Sequence, residues 1–239
     1  MRVALLSDVH ANLVALEAVL AAAGAVDAIW VMGDTVGYGP DPSDVLALLR
    51  ARRAVMVAGN HDLAAGTGEG LEMFNPHAAA AVRRHRSWLS GEERDVLAAL
   101  PPTREIGQFT LCHGSLRDPV WEYVVSPLQA QATLRIASTP HCCNGHTHVP
   151  AVFRSSGART TLVRIEAGRP LALDASCLVN PGSVGQPRDG DPDASYAMLD
   201  TGAMTVTFRR APYDVAETQR RIRARGLPPI LAERLAVGF

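Results

Sequence analysis

In Arg2-Val3-Ala4-Leu5-Leu6-Ser7-Asp8-Val9-His10, four apolar residues run straight into a polar cluster. Such a run reads as a buried strand, and it delivers Asp8 and His10 to the end of that strand. Outward from it, Leu13, Leu16, Val19 and Leu20 fall at helical spacing on a segment that ends near Gly24. Residues 28–32 read as a second buried strand, 42–53 as a helix and 54–58 as a third strand. This β-α-β-α-β rhythm predicts a largely parallel sheet with helices packed on it.

Further along, helices are expected at 76–89 and 91–100, the second stopped by Pro101-Pro102. Two strands, 104–106 and 109–112, flank a turn at Gly107-Gln108, and a helix is expected at 128–137. After that the rhythm changes to short strands at 142–143, 151–154, 161–165, 171–173, 177–179, 196–199 and 204–208. Asp200-Thr201-Gly202 is a hairpin turn between the last two. The tail holds an Arg-rich helix at 215–225, whose basic residues read as a solvated face, with a contact to another subunit as the alternative. One domain over 1–239, with 212–239 as an appendage, accounts for the whole chain.

Composition excludes several classes. The chain has 239 residues, 47% hydrophobic and 20% charged, which is ordinary for a globular domain. Net charge is -1, so a broad cationic face for nucleic acid is not expected. All 23 basic residues are Arg, which reads as a mark of coding composition rather than of phosphate binding. No stretch approaches the roughly 18 apolar residues of a membrane span. The apolar run at the N-terminus is too short for a signal peptide, so the expected location is cytoplasmic. Cys112, Cys142, Cys143 and Cys177 have no CxxC spacing and are expected as buried thiols.

Five expected strands end in polar residues: Asp8 and His10, Asp34, Asn60-His61-Asp62, His113, and His146-Thr147-His148. In parallel α/β sheets ligands bind beyond the carboxyl ends of strands. Taken singly, each of these residues is a turn or a surface histidine; five together on one rim call for another reason. Mixed imidazole and carboxylate donors suit manganese, iron or zinc better than calcium or magnesium. Seven candidates (Asp8, His10, Asp34, Asn60, His113, His146 and His148) are too many for one tetrahedral ion. They suit two ions about 3.5–4 Å apart, with Asp34 as the bridge. His77, His85 and His141 are expected to be structural, and Asp27, Asp44 and Asp95 to be caps or solvated.

This series of motifs resembles the calcineurin-like metallophosphoesterases, and Asn180-Pro181-Gly182-Ser183-Val184-Gly185-Gln186-Pro187-Arg188 is similar to their small bacterial and archaeal members. Gly37-Tyr38-Gly39-Pro40 and Trp121-Glu122-Tyr123 extend the likeness. The resemblance implies a four-layer α/β/β/α sandwich, with two mixed sheets flanked by helices. It implies Asp8, His10 and His148 on one divalent ion, Asn60, His113 and His146 on the other, and Asp34 on both. Manganese is the expected metal; iron, zinc, cobalt and nickel are alternatives. His61 would contact the phosphate and protonate the leaving oxygen after in-line attack by a hydroxide held between the ions. Asp62 either orients His61 or caps the following helix. Asn12, Tyr38 and Arg188 are candidate substrate contacts, whereas Tyr123 is set aside.

The expected activity is therefore hydrolysis of a phosphodiester or phosphomonoester, with a small phosphorylated molecule or nucleotide as substrate. A diadenosine tetraphosphate hydrolase or a serine/threonine protein phosphatase are alternatives within the class. A binding scaffold without catalysis, as in a subunit of the retromer coat, is the alternative outside it. The intact set of seven candidates and His61 speaks against the scaffold.

Overall fold

Alternation along one strand sets the layering. In the computed structural model, which describes residues 1–157 and 159–239, β1 (Arg2–Leu6) turns Val3 and Leu5 to one side and Ala4 and Leu6 to the other. Both sides are buried, so this strand lies in the middle of the molecule, as its unbroken apolar run requires.

Chain order continues with α1 (Leu13–Ala23), β2 (Ala28–Val31), α2 (Pro42–Ala51), β3 (Val55–Met56), α3 (Asn60–Thr67), a 3-10 turn at Leu71–Met73, α4 (Pro76–Trp88), α5 (Gly91–Ala98), β4 (Thr103–Ile106), β5 (Phe109–Cys112) and α6 (Pro127–Ile136). Then come β6 (His141–Cys143), β7 (Ala151–Ser156), β8 (Arg159–Leu162), β9 (Leu171–Ala172), β10 (Ser176–Asn180), β11 (Ala194–Asp200), β12 (Thr205–Ala211), α7 (Val215–Ala224) and α8 (Ile230–Glu233), with a final 3-10 turn at Arg234–Val237.

The described strands form two six-stranded sheets, ordered β3-β2-β1-β11-β12-β9 and β4-β5-β6-β10-β7-β8. Both are mixed. The pairs β1–β2, β2–β3, β5–β6 and β6–β10 are parallel, whereas β11 joins β1 antiparallel. The parallel rhythm of the first sixty residues is thus half of a sheet whose other half is the late hairpin β11–β12 with β9 at its edge. At its turn the Asp200 carboxylate accepts the amides of Gly202 and Ala203.

Val3, Leu5, Trp30, Phe109, Val179 and Phe208 fill the space between the sheets. The outer face of the first sheet is covered by α1 and α2 through Leu16, Val19, Leu46 and Leu49. On the outer face of the second, Cys142, Phe153 and Leu178 meet Ala130 of α6. These are the four layers. All four cysteines are buried and free.

Two segments differ from the sequence expectation. Residues 60–67 form α3, which opens on Asn60 itself, and β8 lies a few residues before the expected 161–165. The tail folds back, with Ile222, Leu227, Leu231 and Leu235 packing on Ala78 and Ala81 of α4 and on Tyr38. Arg220 and Arg221 pair with Glu217, and Arg221 also reaches Asp41. No helix among the described residues is long and apolar enough to cross a membrane.

Candidate metal centre

The polar residues after β1, β2, β3, β5 and β6 converge at one end of the two sheets. The chain leaves the strands sharply there: Asp8, His10, Asp34, His146 and His148 all have left-handed backbone, with φ between 49° and 68°. Non-glycine residues rarely adopt this conformation, and its concentration on one cluster marks a constrained functional site.

Two groups of donor atoms result. Asp8, His10, Asp34 and His148 form one, and Asp34, His113 and His146 the other; within each group the donors lie within 4.8 Å of one another. Asp34 Oδ2 is 3.6 Å from His10 Nε2 and 3.4 Å from His113 Nε2, so one oxygen faces both groups. Its partner Oδ1 accepts the His61 amide at 2.9 Å. Asn60 Oδ1 joins the second group, 3.2 Å from His113 Nε2.

The histidine tautomers are fixed by carbonyl oxygens, which only accept. Nδ1–H of His10, His113 and His148 donates to the carbonyls of Val36, Met32 and Gln186, at 3.0, 2.7 and 2.6 Å. Nε2–H of His146 donates to the Trp121 carbonyl at 3.1 Å. In the neutral rings the other nitrogen therefore turns a lone pair inward, the arrangement of a metal-ligating imidazole.

The electrostatics of the cluster favour a cation. Burial pushes His10 and His148 well below the ordinary histidine value, and His146 down to about 3. Burial also works against a charge on His113, yet the neighbouring Asp34 and Asp8 raise it to about 9. Asp8 Oδ1 is fully buried with no hydrogen-bond partner among the described residues. An unpaired buried carboxylate oxygen is costly, and a group of lone pairs that retains a proton calls for a cation. The residues present fit divalent metal.

His61 stands beside this cluster in the first turn of α3, its ring 4.8 Å from that of His10 and 4.5 Å from Tyr38. Burial lowers it to about 4. Gly37 (φ +93°) makes room for it, because a Cβ there would overlap His61 Nδ1. His85 holds the same loop from below: Nδ1 accepts the Gly37 amide, and Nε2–H donates to the Gly39 carbonyl. Its role is structural. So is that of His141, stacked on Phe109, while His77 is exposed.

Asp62 accepts the amides of Thr35, Val36 and Gly59 at 3.0–3.2 Å. Of the two roles open to it, this is the cap: it ties the loop after β2 to the start of α3 and positions His61 through the backbone. Asn12 corrects the expectation of a substrate contact. It is 1% exposed; its Oδ1 caps α1 at Ala15 and accepts from Thr218, and its Nδ2 donates to the Gly185 carbonyl. Both polar ends of that side chain are engaged inside the fold, and it is not among the residues that line the cavity.

A cavity of about 220 Å³ opens over the metal groups. Tyr38 and Arg188 line it, and Arg188 donates to the Tyr38 hydroxyl at 3.3 Å and to Gln186 Oε1 at 3.2 Å. Phe74, Trp121 and Tyr123 also line it, and Tyr123 stacks on His146 with ring centroids 3.7 Å apart. Trp121-Glu122-Tyr123 was visible as a motif, but nothing in the sequence placed its rings on this wall.

Comparison with known proteins identifies the family. The model of the calcineurin-like phosphoesterase superfamily domain matches residues 1–204. The crystal structure of a metallophosphoesterase from Sphaerobacter thermophilus superposes with a TM-score of 0.89 at 43% identity, covering 100% of this chain and 99% of that one. An uncharacterised protein of Methanocaldococcus jannaschii is 33% identical over 99% of this chain and 98% of its own length. A shorter likeness, 44% over 64 residues (25% of this chain and 23% of the other), joins it to the symmetrical bis(5'-nucleosyl)-tetraphosphatase of Pectobacterium carotovorum. The chain belongs to the calcineurin-like phosphoesterase superfamily.

Proposed function

We propose that the protein is a phosphoesterase that hydrolyses a small phosphomonoester or phosphodiester at a pair of divalent cations. The observation that carries this reading is Asp34 Oδ2, which faces a nitrogen of each donor group. Asp8, His10 and His148 would hold one ion, Asn60, His113 and His146 the other, and Asp34 both. Manganese is the expected metal, and this donor set also suits iron, zinc, cobalt and nickel. When bound, the ions supply activation of a water for in-line attack and neutralise charge on the phosphoryl oxygens.

The chain's own side chains do the rest. His61, on the cavity wall beside His10, is placed to protonate the departing oxygen once a bound phosphoryl anion offsets the burial that holds its pKa down. Arg188, whose side chain lines the cavity, is placed to grip a phosphoryl oxygen. Tyr38 holds that guanidinium at the cavity. Asp62 keeps His61 in place by tying the start of α3 to the loop after β2. The substrate is a small phosphorylated molecule in the cytoplasm, with neither a membrane nor nucleic acid as partner.

Chelator-stripped protein, resupplied singly with Mn, Fe, Zn, Co, Ni or Mg, tests the reading. The substrates are an aryl phosphodiester, an aryl phosphomonoester and diadenosine tetraphosphate. Metal-dependent turnover that disappears in His61→Ala is expected. A protein that binds two ions and remains inert on all three would leave the scaffold reading in its place.

A further inference from the structure

Beside the metal cavity, on the far side of the His146-Thr147-His148 turn, lies a second hollow of about 300 Å³. The two share a wall. Tyr123 lines both, and while His146 and His148 face the metal cavity, Thr147 between them faces the groove. Phe153, at the end of the second sheet, forms a buried floor. The rim is apolar yet open to solvent: Tyr123 is 47% exposed, Val125 68%, Val149 38% and Leu162 61%. Large apolar side chains gathered around one concavity mark a binding surface.

We propose that this groove holds the organic group of the phosphoester, and that the substrate is the ester of an apolar alcohol. The proposal rests on the phosphoesterase reading above and names its substrate class. Adjacency carries it: Tyr123 lines both hollows, so an ester with its phosphoryl group in the metal cavity has the groove as the neighbouring surface for its organic part. The groove's chemistry selects the class. No charged side chain lines it among the described residues. Its one hydroxyl besides that of Tyr123 belongs to Thr147, and this is already engaged with Asn180 and the Val149 backbone. The groove offers no free side-chain donor or acceptor besides the Tyr123 hydroxyl to recognise the edge of a nucleobase, whereas alkyl or aryl carbon gains by leaving water there.

The test is a series of alkyl phosphates from methyl to hexyl, assayed with the manganese-loaded protein. Its companions are Leu162→Asp and Val125→Asp, both at exposed positions where folding is not at stake. In the wild type, kcat/KM should rise roughly fourfold per added methylene over the first few carbons. Both variants should flatten that slope and leave methyl phosphate turnover unchanged. Turnover without a chain-length slope, or a slope that neither variant changes, overturns the proposal. If no ester is hydrolysed, the phosphoesterase reading fails, and methyl NMR decides the groove separately. Shifts at Leu162 and Val125 with hexylphosphonate but not methylphosphonate support an apolar-ligand site, and their absence overturns it. A dimer that Leu162→Asp dissociates, with no such shifts, would make the groove a contact between copies and overturn the proposal as well.

Discussion

The Nε2 atoms of His10 and His148 lie 3.1 Å apart in a fully buried setting. Each ring gives its hydrogen from Nδ1 to a carbonyl, so in the neutral rings two lone pairs face each other. A cation beside both relieves that repulsion, and it binds the folded chain only. Mass action then stabilises the fold by about 2.7 kcal/mol when free metal is at 100 times its Kd. In a chain of this length that raises Tm by roughly 5–10 °C. Calorimetry with manganese and with chelator measures the difference; an unchanged Tm would remove the centre.

Sharing of Asp34 predicts unequal losses of metal. Asp34→Asn should weaken both ions, so that dialysed protein retains close to none. His146→Ala touches the second group alone and should retain one ion per chain. Elemental analysis after dialysis reads the two numbers, and equal retention in both variants contradicts the shared oxygen.

Gly37 offers a way to move His61 without mutating it. Gly37→Ala places a methyl against the imidazole and strains a backbone at φ +93°. Metal content should stay at the wild-type level while turnover falls about 100-fold, the scale of a catalytic group displaced by an ångström. Wild-type turnover in a folded Gly37→Ala protein would take His61 out of the reaction.

His85 predicts part of the acid response of the fold. Burial lowers its pKa to about 4, whereas the unfolded chain titrates near 6.5. The unfolded state therefore binds the proton first. Stability is full above pH 6.5 and declines as pH falls toward about 4, by on the order of 3 kcal/mol for this one group. His85→Gln cannot titrate, so the variant's urea midpoint should fall less between pH 7 and pH 4.5 than the wild type's. Parallel pH profiles for the two proteins would show that His85 is not the group responsible.

Much of this was legible because the informative residues follow apolar runs. Asp8, Asp34 and His113 each stand just past a buried strand, and strand ends are readable from hydrophobicity alone. The pairing of the sheets was less so: β11 sits beside β1 although nearly two hundred residues separate them, and no local pattern encodes that. A helix after Asp62 was one of two readings, but its start at Asn60 escaped because Asn60-His61-Asp62 looks like a loop; the Asp62 carboxylate caps that first turn. Asn12 misled for a related reason. It neighbours His10 in sequence, but the start of α1 turns its side chain away from the cavity and into the cap. The Trp121 and Tyr123 rings reach the cavity only through the folding of a long loop between β5 and α6.

The hydrogen bonds that orient the four histidines all end on main-chain oxygens, those of Val36, Met32, Gln186 and Trp121. Every amino acid carries that oxygen. Substitutions at positions 32, 36, 121 and 186 that keep the backbone path leave each ring pointing the same way. Of the four, Trp121 also lines the cavity, so that wall can change its side chain while the main-chain oxygen beneath it still orients His146.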